Sequence, residues 1–186
     1  ATRLDETLQV LALRFTGDEF DFVGEHVTLR GAVGRPTPHG GRIPVHLGGA
    51  GEQLTLPLVA SHADWWNCPS YAVDRLDELR PKAGSARVSL QRPVGLAASS
   101  ANRDEVVAQA ERRFGTWGGL VAGTPDEVAA ALRADVDRGV ELFTIPFTDF
   151  ATPETLQLFA RKVLPALRRA SGGRRWWSAA GQAQDP

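Results

Sequence analysis

The small residues Gly48-Gly49-Ala50-Gly51 follow the short apolar stretch Ile43-Pro44-Val45-His46-Leu47 and precede a segment with an apolar face at Leu54, Leu58 and Val59. A strand that ends in glycines and turns into a helix brings backbone N–H groups and the positive helix end to one point, where a phosphate can be held. Side chains at those positions would block the approach. The run matches neither the dinucleotide fingerprint nor the P-loop, because no Lys-Ser/Thr pair follows it. On spacing alone a plain tight turn explains the glycines as well as a phosphate cradle does.

The other chemistry-bearing residues are scattered. The histidines His26, His39, His46 and His62 have no short ligand spacing, which argues against a zinc site and leaves no metal expected. His46 lies near the C-terminal end of a strand, the end at which α/β proteins build their sites; a histidine hydrogen-bonded beneath the loop is the competing reading. No Gly-x-Ser-x-Gly elbow is present. Cys68 has no histidine close in sequence and reads as a small buried hydrophobe. Asp64, Glu141 and Asp149 fall at or near strand ends, where they could line a pocket, cap helices or face solvent. Of the two tryptophan pairs, Trp65-Trp66 is expected to pack a wall or roof a pocket, and Trp176-Trp177 to dock on a partner or do nothing.

The elements that must position these residues can be read from period and punctuation. Leu4, Leu8, Leu11 and Phe15 form a stripe at helical spacing that stops at Gly17, a left-handed cap position. Phe20, Phe22, Val27 and Leu29 alternate around Gly24 as a short hairpin, and Gly31 to Arg42 is a Gly/Pro-rich connector. From Ile43 onward the order strand, loop, helix recurs. Strands are expected at 43–47, 64–68, 88–96 and 140–145. Helices are expected on Tyr71, Leu76 and Leu79, from an Asn102 cap with Glu105, from Thr124-Pro125-Asp126-Glu127 to Gly139, and from Thr152-Pro153-Glu154 through Leu167. Such alternation implies parallel strands with right-handed crossovers, an α/β fold. With only four units, pattern alone does not decide between an open doubly wound sheet and part of a barrel.

Composition narrows the class. The 186 residues are 42% hydrophobic and 23% charged with a net charge of -1, ordinary for one globular domain and without the basic stripe that nucleic acid requires. A single cysteine excludes an internal disulfide and suits a reducing cytoplasm. No apolar stretch approaches the ~20 residues of a membrane span, and no secretory leader opens the chain. Methionine is absent even at position 1, so the chain is expected to be processed, cut or recorded from partway through a longer protein. Residues 1–170 are read as the structured unit, and 171–186 as a disordered tail.

Taken in order, several stretches resemble the second half of the luciferase-like monooxygenase family, in particular its branch that uses the deazaflavin coenzyme F420. They are Arg3-Leu4-Asp5-Glu6 through Phe15-Thr16-Gly17, Phe22-Val23-Gly24-Glu25-His26, Ile43 through Gly51, and Ala63-Asp64-Trp65-Trp66-Asn67. Gly123-Thr124-Pro125-Asp126-Glu127-Val128, Asp137-Arg138-Gly139-Val140 and Leu158 through Pro165 continue the series. The resemblance implies an α/β fold that is the C-terminal half of a (β/α)8 TIM barrel: strands five to eight, the preceding helix and a short β-hairpin insertion. It implies a flavin- or deazaflavin-dependent oxidoreductase or monooxygenase with F420, or alternatively FMN, as cofactor. Gly48, Gly49, Ala50 and Gly51 would lie against the cofactor's phosphate side, and His46, Trp66, Thr148 and Asp149 would border a small-molecule substrate. No catalytic acid or base is implied in this half.

Two positions depart from the resemblance. Relatives usually carry Asp-Gly-Trp where this chain has Asp64-Trp65-Trp66, and Pro57 replaces a charged helix residue, where it is expected to kink the helix. A half barrel also leaves two strand edges and an inner apolar layer exposed. The partner expected to cover them is the missing N-terminal half or a second copy of the chain. The alternative reading is a non-catalytic truncated relative that serves as a scaffold or interaction protein.

Overall fold

Thr2 opens the first helix, α1 (Arg3–Thr16), by accepting the Asp5 amide at 3.2 Å, and Gly17 ends it in the left-handed region at φ 79°. The computed structural model describes residues 2–168; the tail 171–186 and Trp176-Trp177 lie outside the described residues. Strands β1 (Phe20–Val23) and β2 (Thr28–Ala32) pair antiparallel, with Phe22 opposite Leu29. Their turn is anchored from α1. The Glu6 carboxylate, 2% exposed, accepts the amides of Glu25, His26 and Val27 at 2.8, 2.9 and 2.9 Å.

The chain then builds strands on helices. In order come β3 (His46–Gly48), α2 (Thr55–His62), β4 (Trp65–Cys68), α3 (Leu76–Leu79), β5 (Arg87–Gln91), β6 (Val94–Leu96) and α4 (Arg103–Phe114). They are followed by β7 (Val121–Gly123), α5 (Pro125–Asp137), β8 (Val140–Thr144) and a last helix from Pro153 to Arg168. Strands β3, β4, β5 and β8 form one parallel sheet in that order, as the crossover rule demands. Thr124 and Glu127 form the expected reciprocal capping box at α5. The last helix is α6 (Pro153–Leu158) and α7 (Leu164–Arg168), joined by a wide helical turn over Phe159–Val163.

Helices cover one face of this sheet. Trp66, Cys68, Val88, Leu90 and Val140 point to that face and pack against Leu56, Val59, Leu76 and Leu79. A second cluster joins Val94 and Leu96 to Val128, Leu132, Phe147, Phe159 and Val163. Burial of the Cys68 thiol pushes its pKa up to about 12, which suits a packing role.

Several expectations are corrected. The strand expected over 88–96 is interrupted at Arg92-Pro93 into two: Arg92 and Val94 still donate to the carbonyls of Thr144 and Pro146, but Val94–Leu96 also pairs with β7 in a second parallel sheet. Asn102 does not cap α4; its Oδ1 accepts the Ser99 amide at 3.0 Å in a capping box one turn earlier. Pro57 causes no kink, since it falls in the first turn of α2, where a helix needs no N–H donor. The apolar stripe of α1 is only partly covered, with Leu8 buried but Leu4 47% and Leu11 36% exposed. The bare face of the parallel sheet is mixed: strand alternation places His46, Trp65, Asn67, Arg87, Ser89 and Gln91 there, with Leu142 opposite Ser89 and 41% exposed.

Candidate functional site

The glycine loop sits at the carboxyl edge of the sheet, between β3 and α2. Gly49 adopts φ +131°, and a Cβ there would lie 2.9 Å from the Thr55 methyl; a Cβ on Gly51 would lie 3.0 Å from the Thr55 hydroxyl. Glycine is therefore required by close approach to the first residue of α2. The amides divide into two groups. Gly49 donates to the Asn67 carbonyl at 3.3 Å, so its amide is tied to the sheet, whereas the Gly48 amide, one residue earlier on the edge strand β3, faces away from β4. Ala50 and Gly51 donate to no protein acceptor among the described residues, and Leu54 supplies no side-chain cap to α2. The amides of Ala50 and Gly51 and the uncapped start of α2 are thus open to an acceptor at the carboxyl edge of the sheet. Immediately after it, Glu52 is bonded to Lys82 and, at 2.5 Å, to Arg75, and both cations also contact Glu78, so the cluster beside the loop carries two positive and two negative charges. The Lys82 and Arg75 contacts hold the Glu52 carboxyl below its usual range.

Trp66 is corrected. It is fully buried on the helix-covered face, and its indole N–H donates to the Gly49 carbonyl at 2.8 Å, so it supports the loop from the core instead of facing a pocket. Trp65 is the pair member on the bare face. Its ring stacks on His46 with centroids 5.3 Å apart and 21° between planes, and the Arg87 guanidinium sits 4.0 Å from its centroid on the neighbouring strand. Arg87 in turn meets Glu141 at 2.9 Å. His46, Trp65, Arg87 and Glu141 thereby form one row across all four strands, near their N-terminal ends. One layer higher, Asn67 lies beside Gly48, and its Oδ1 is the one buried side-chain acceptor without a hydrogen-bond partner among the described residues.

Thr148 and Asp149 lie at the other edge of the sheet. From β3 to β8 is three strand spacings of ~4.8 Å, so they do not share one point with the glycine loop. Both line a cleft of about 560 Å³ between α4 and the last helix, floored by Leu96 and Thr148 and walled by Val106, Gln109, Leu158 and Arg161. That volume suits a small molecule. Thr148 is 3% exposed, and its hydroxyl makes no hydrogen bond among the described residues. Asp149 acts differently, because its carboxylate accepts from the Ala151 amide at 3.1 Å and from the hydroxyls of Thr152 and Thr155 at 3.1 and 2.5 Å, organising the start of α6. The other strand-end carboxylates are engaged too, Glu141 with Arg87 and Asp64 with the Val45 amide and Arg42, each of the latter at 2.8 Å.

Sequence reasoning did not single out Asn67, Phe150 or Arg113. Phe150 and Ala151, at φ 63° and 61°, are adjacent left-handed residues without being glycine. Nothing in the string Asp-Phe-Ala-Thr announces that conformation, whereas strand parity could have placed Asn67 once the Trp65/Trp66 ambiguity was resolved.

Residues 1–118 match the family described as luciferase-like monooxygenase. The chain is 25% identical over 206 residues to the F420-dependent glucose-6-phosphate dehydrogenase of Rhodococcus erythropolis, covering 89% of this chain and 60% of that protein. Its fold superposes with a TM-score of 0.73 on an EDTA monooxygenase from a Chelativorans species, at 16% identity over 91% of this chain and 59% of the other. An F420-dependent secondary alcohol dehydrogenase solved with an F420-acetone adduct gives 0.70 at 16% identity, over 88% and 60%. The chain thus spans about three fifths of the length of these relatives. With a match across residues 1–118 of 186, the chain belongs to the luciferase-like monooxygenase family.

Proposed function

We propose that the chain is the C-terminal half of a (β/α)8 barrel, with β3, β4, β5 and β8 as barrel strands five to eight. In this reading it supplies part of the cofactor and substrate site of an oxidoreductase that uses F420, or alternatively FMN. The observation that carries the proposal is a parallel sheet in chain order whose helices cover one face only, with an anion-fitting loop at the carboxyl edge of its first strand. The F420-dependent relative favours F420 over FMN. Two unpaired strand edges and the bare face are where the N-terminal half, or a second copy of the chain, would close the barrel.

When bound, the cofactor ring supplies the hydride or the reaction with oxygen, and the protein supplies position. The amides of Ala50 and Gly51, with the uncapped start of α2, would hold the anionic tail. Trp66 and Thr55 keep that loop in shape from behind. Asn67 and His46 would face the enclosed interior. The substrate would occupy the cleft over Thr148, whose hydroxyl is available to it.

Titration of the purified chain with F420 and with FMN, followed by ligand fluorescence, tests the reading. Saturable binding of F420, weakened at least tenfold by Gly51→Val in a protein whose circular dichroism is unchanged, is the expected result. Failure of the folded chain to bind either molecule would overturn the cofactor role of the loop and favour a scaffold that uses its glycines only for a turn.

A further inference from the structure

The cleft between α4 and the last helix changes sign along its length. Glu154, Leu158, Arg161 and Lys162 all line it, at the three- and four-residue spacings that put side chains on one stripe of a helix. The wide turn over Phe159–Val163 keeps Phe159 and Val163 in the core and presents Arg161 and Lys162 to the cleft together. Such turns interrupt helices frequently at functional sites. Glu154 and Arg161 are separated by two helical turns, roughly 10 Å at 1.5 Å per residue.

The charges at both ends are open to a ligand. Arg75, Lys82 and Arg103 are paired with carboxylates, whereas Glu154, Arg161 and Lys162, all cleft-lining, form no ion pair among the described residues. Asp149 joins Glu154 at the acidic end, because it accepts the Thr155 hydroxyl at 2.5 Å. Its other donors, the Ala151 amide and the Thr152 hydroxyl, are neutral as well, so no cation offsets it. Leu158 separates the two ends along the helix, and Leu96 and Val106 face the same space. On the floor, Thr148 is fixed by Arg113 Nη1, which donates to its carbonyl at 2.6 Å.

Two carboxylates and two cations leave the cleft without net charge but with opposite ends. A purely anionic molecule is attracted at one end and repelled at the other; a molecule that carries both charges, suitably spaced, is attracted at each. We propose that the cleft takes an elongated zwitterion, with an ammonium group toward Glu154 and Asp149, an anionic group such as a carboxylate toward Arg161 and Lys162, and a slender apolar segment over Leu158 and Val106. The inference rests on reading the cleft as the substrate pocket. In that role Glu154 and Arg161 are specificity-determining residues.

Calorimetric titration of the chain at low ionic strength with four molecules of equal length tests it: 8-aminooctanoate, 8-hydroxyoctanoate, 8-aminooctan-1-ol and octane-1,8-diol. The zwitterion should bind about threefold tighter than either singly charged molecule and about tenfold tighter than the diol, as two half-exposed ion pairs would give. Glu154→Gln should remove most of its advantage over 8-hydroxyoctanoate, and the double variant Arg161→Gln, Lys162→Gln most of its advantage over 8-aminooctan-1-ol. Equal binding of all four, a singly charged molecule that matches the zwitterion, or advantages that survive those substitutions would overturn the zwitterion while leaving the pocket in place. Binding of none of the four to the folded chain would overturn the pocket and the zwitterion with it.

Discussion

The indole N–H of Trp66 meets the carbonyl oxygen of Gly49 at 2.8 Å, joining the centre of the hydrophobic core to the loop that fits an anion. Replacing Trp66 with Phe keeps an aromatic ring in the core but strands that carbonyl. A loss of stability on the order of 1 kcal/mol is expected, together with weaker binding of F420. Urea unfolding and the fluorescence titration read the two effects separately.

A buried ion pair organises the far side of the sheet. Arg92, at the end of β5, places Nε 2.9 Å from Asp135 of α5, with side chains only 13% and 2% exposed, and a further guanidinium nitrogen on the Gly119 carbonyl at 2.8 Å. Asp135→Ala leaves Arg92 buried without its counter-charge and should cost about 3–5 kcal/mol. The double variant Arg92→Met, Asp135→Leu should recover most of that loss. Chemical denaturation of the single and double variants checks the sign of the difference.

The hairpin should loosen in acid through Glu6. Withdrawal from water pushes this carboxyl up, but the amides of His26, Glu25 and Val27 outweigh it and hold the pKa below the ordinary 4.5. For a depressed carboxyl, the stabilisation is complete above the unfolded value and is lost as pH falls through the folded one. Hydrogen exchange at Glu25, His26 and Val27 should therefore accelerate relative to the β5 amides only below about pH 4.5, the ordinary carboxyl value. In Glu6→Gln the acceleration should be present at neutral pH.

Cys68, with its thiol at about 12 and no exposed surface, should resist thiol reagents in the native protein. Labelling at pH 8 should proceed at the rate of unfolding and be independent of reagent concentration, which stopped-time mass spectrometry can follow.

Phe150→Gly should stabilise the chain. Glycine occupies φ near +63° without the steric penalty, so a gain of about 1 kcal/mol is expected, or roughly 2–4 °C in Tm for a chain of this size. A thermal melt by circular dichroism gives the answer, and a fall in Tm would mean that the exposed ring itself contributes to folding.

Most of the architecture was legible because it rests on local signals. Gly17, the Thr124-Pro125-Asp126-Glu127 box and the alternation around Gly24 act within a few residues, and each appears in the structure as the expected cap, box or turn. What sequence could not supply was parity and partnership. A tryptophan doublet has no apolar/polar contrast, so the face of each ring depends on register with Leu47 and Val88. Pro93, which has no N–H, interrupts β5, but the sequence does not show that Val94 then pairs with Val121 on one side and Phe147 on the other. Asn102 carries the right side chain for a helix cap and spends it on Ser99, one turn early. Around the candidate site, the glycine run was visible; the use of the Gly49 amide by Asn67 and the left-handed turn at Phe150 depend on residues brought together by the fold.

The row from His46 through Trp65 and Arg87 to Glu141 sets terms for whatever closes over it. A covering surface made of aliphatic side chains would dehydrate an ion pair and an imidazole while offering nothing in return. In the proposed barrel, the complementary strands would have to bring hydrogen-bonding groups or trapped water to that level, while Leu142 beside it leaves room for an apolar neighbour.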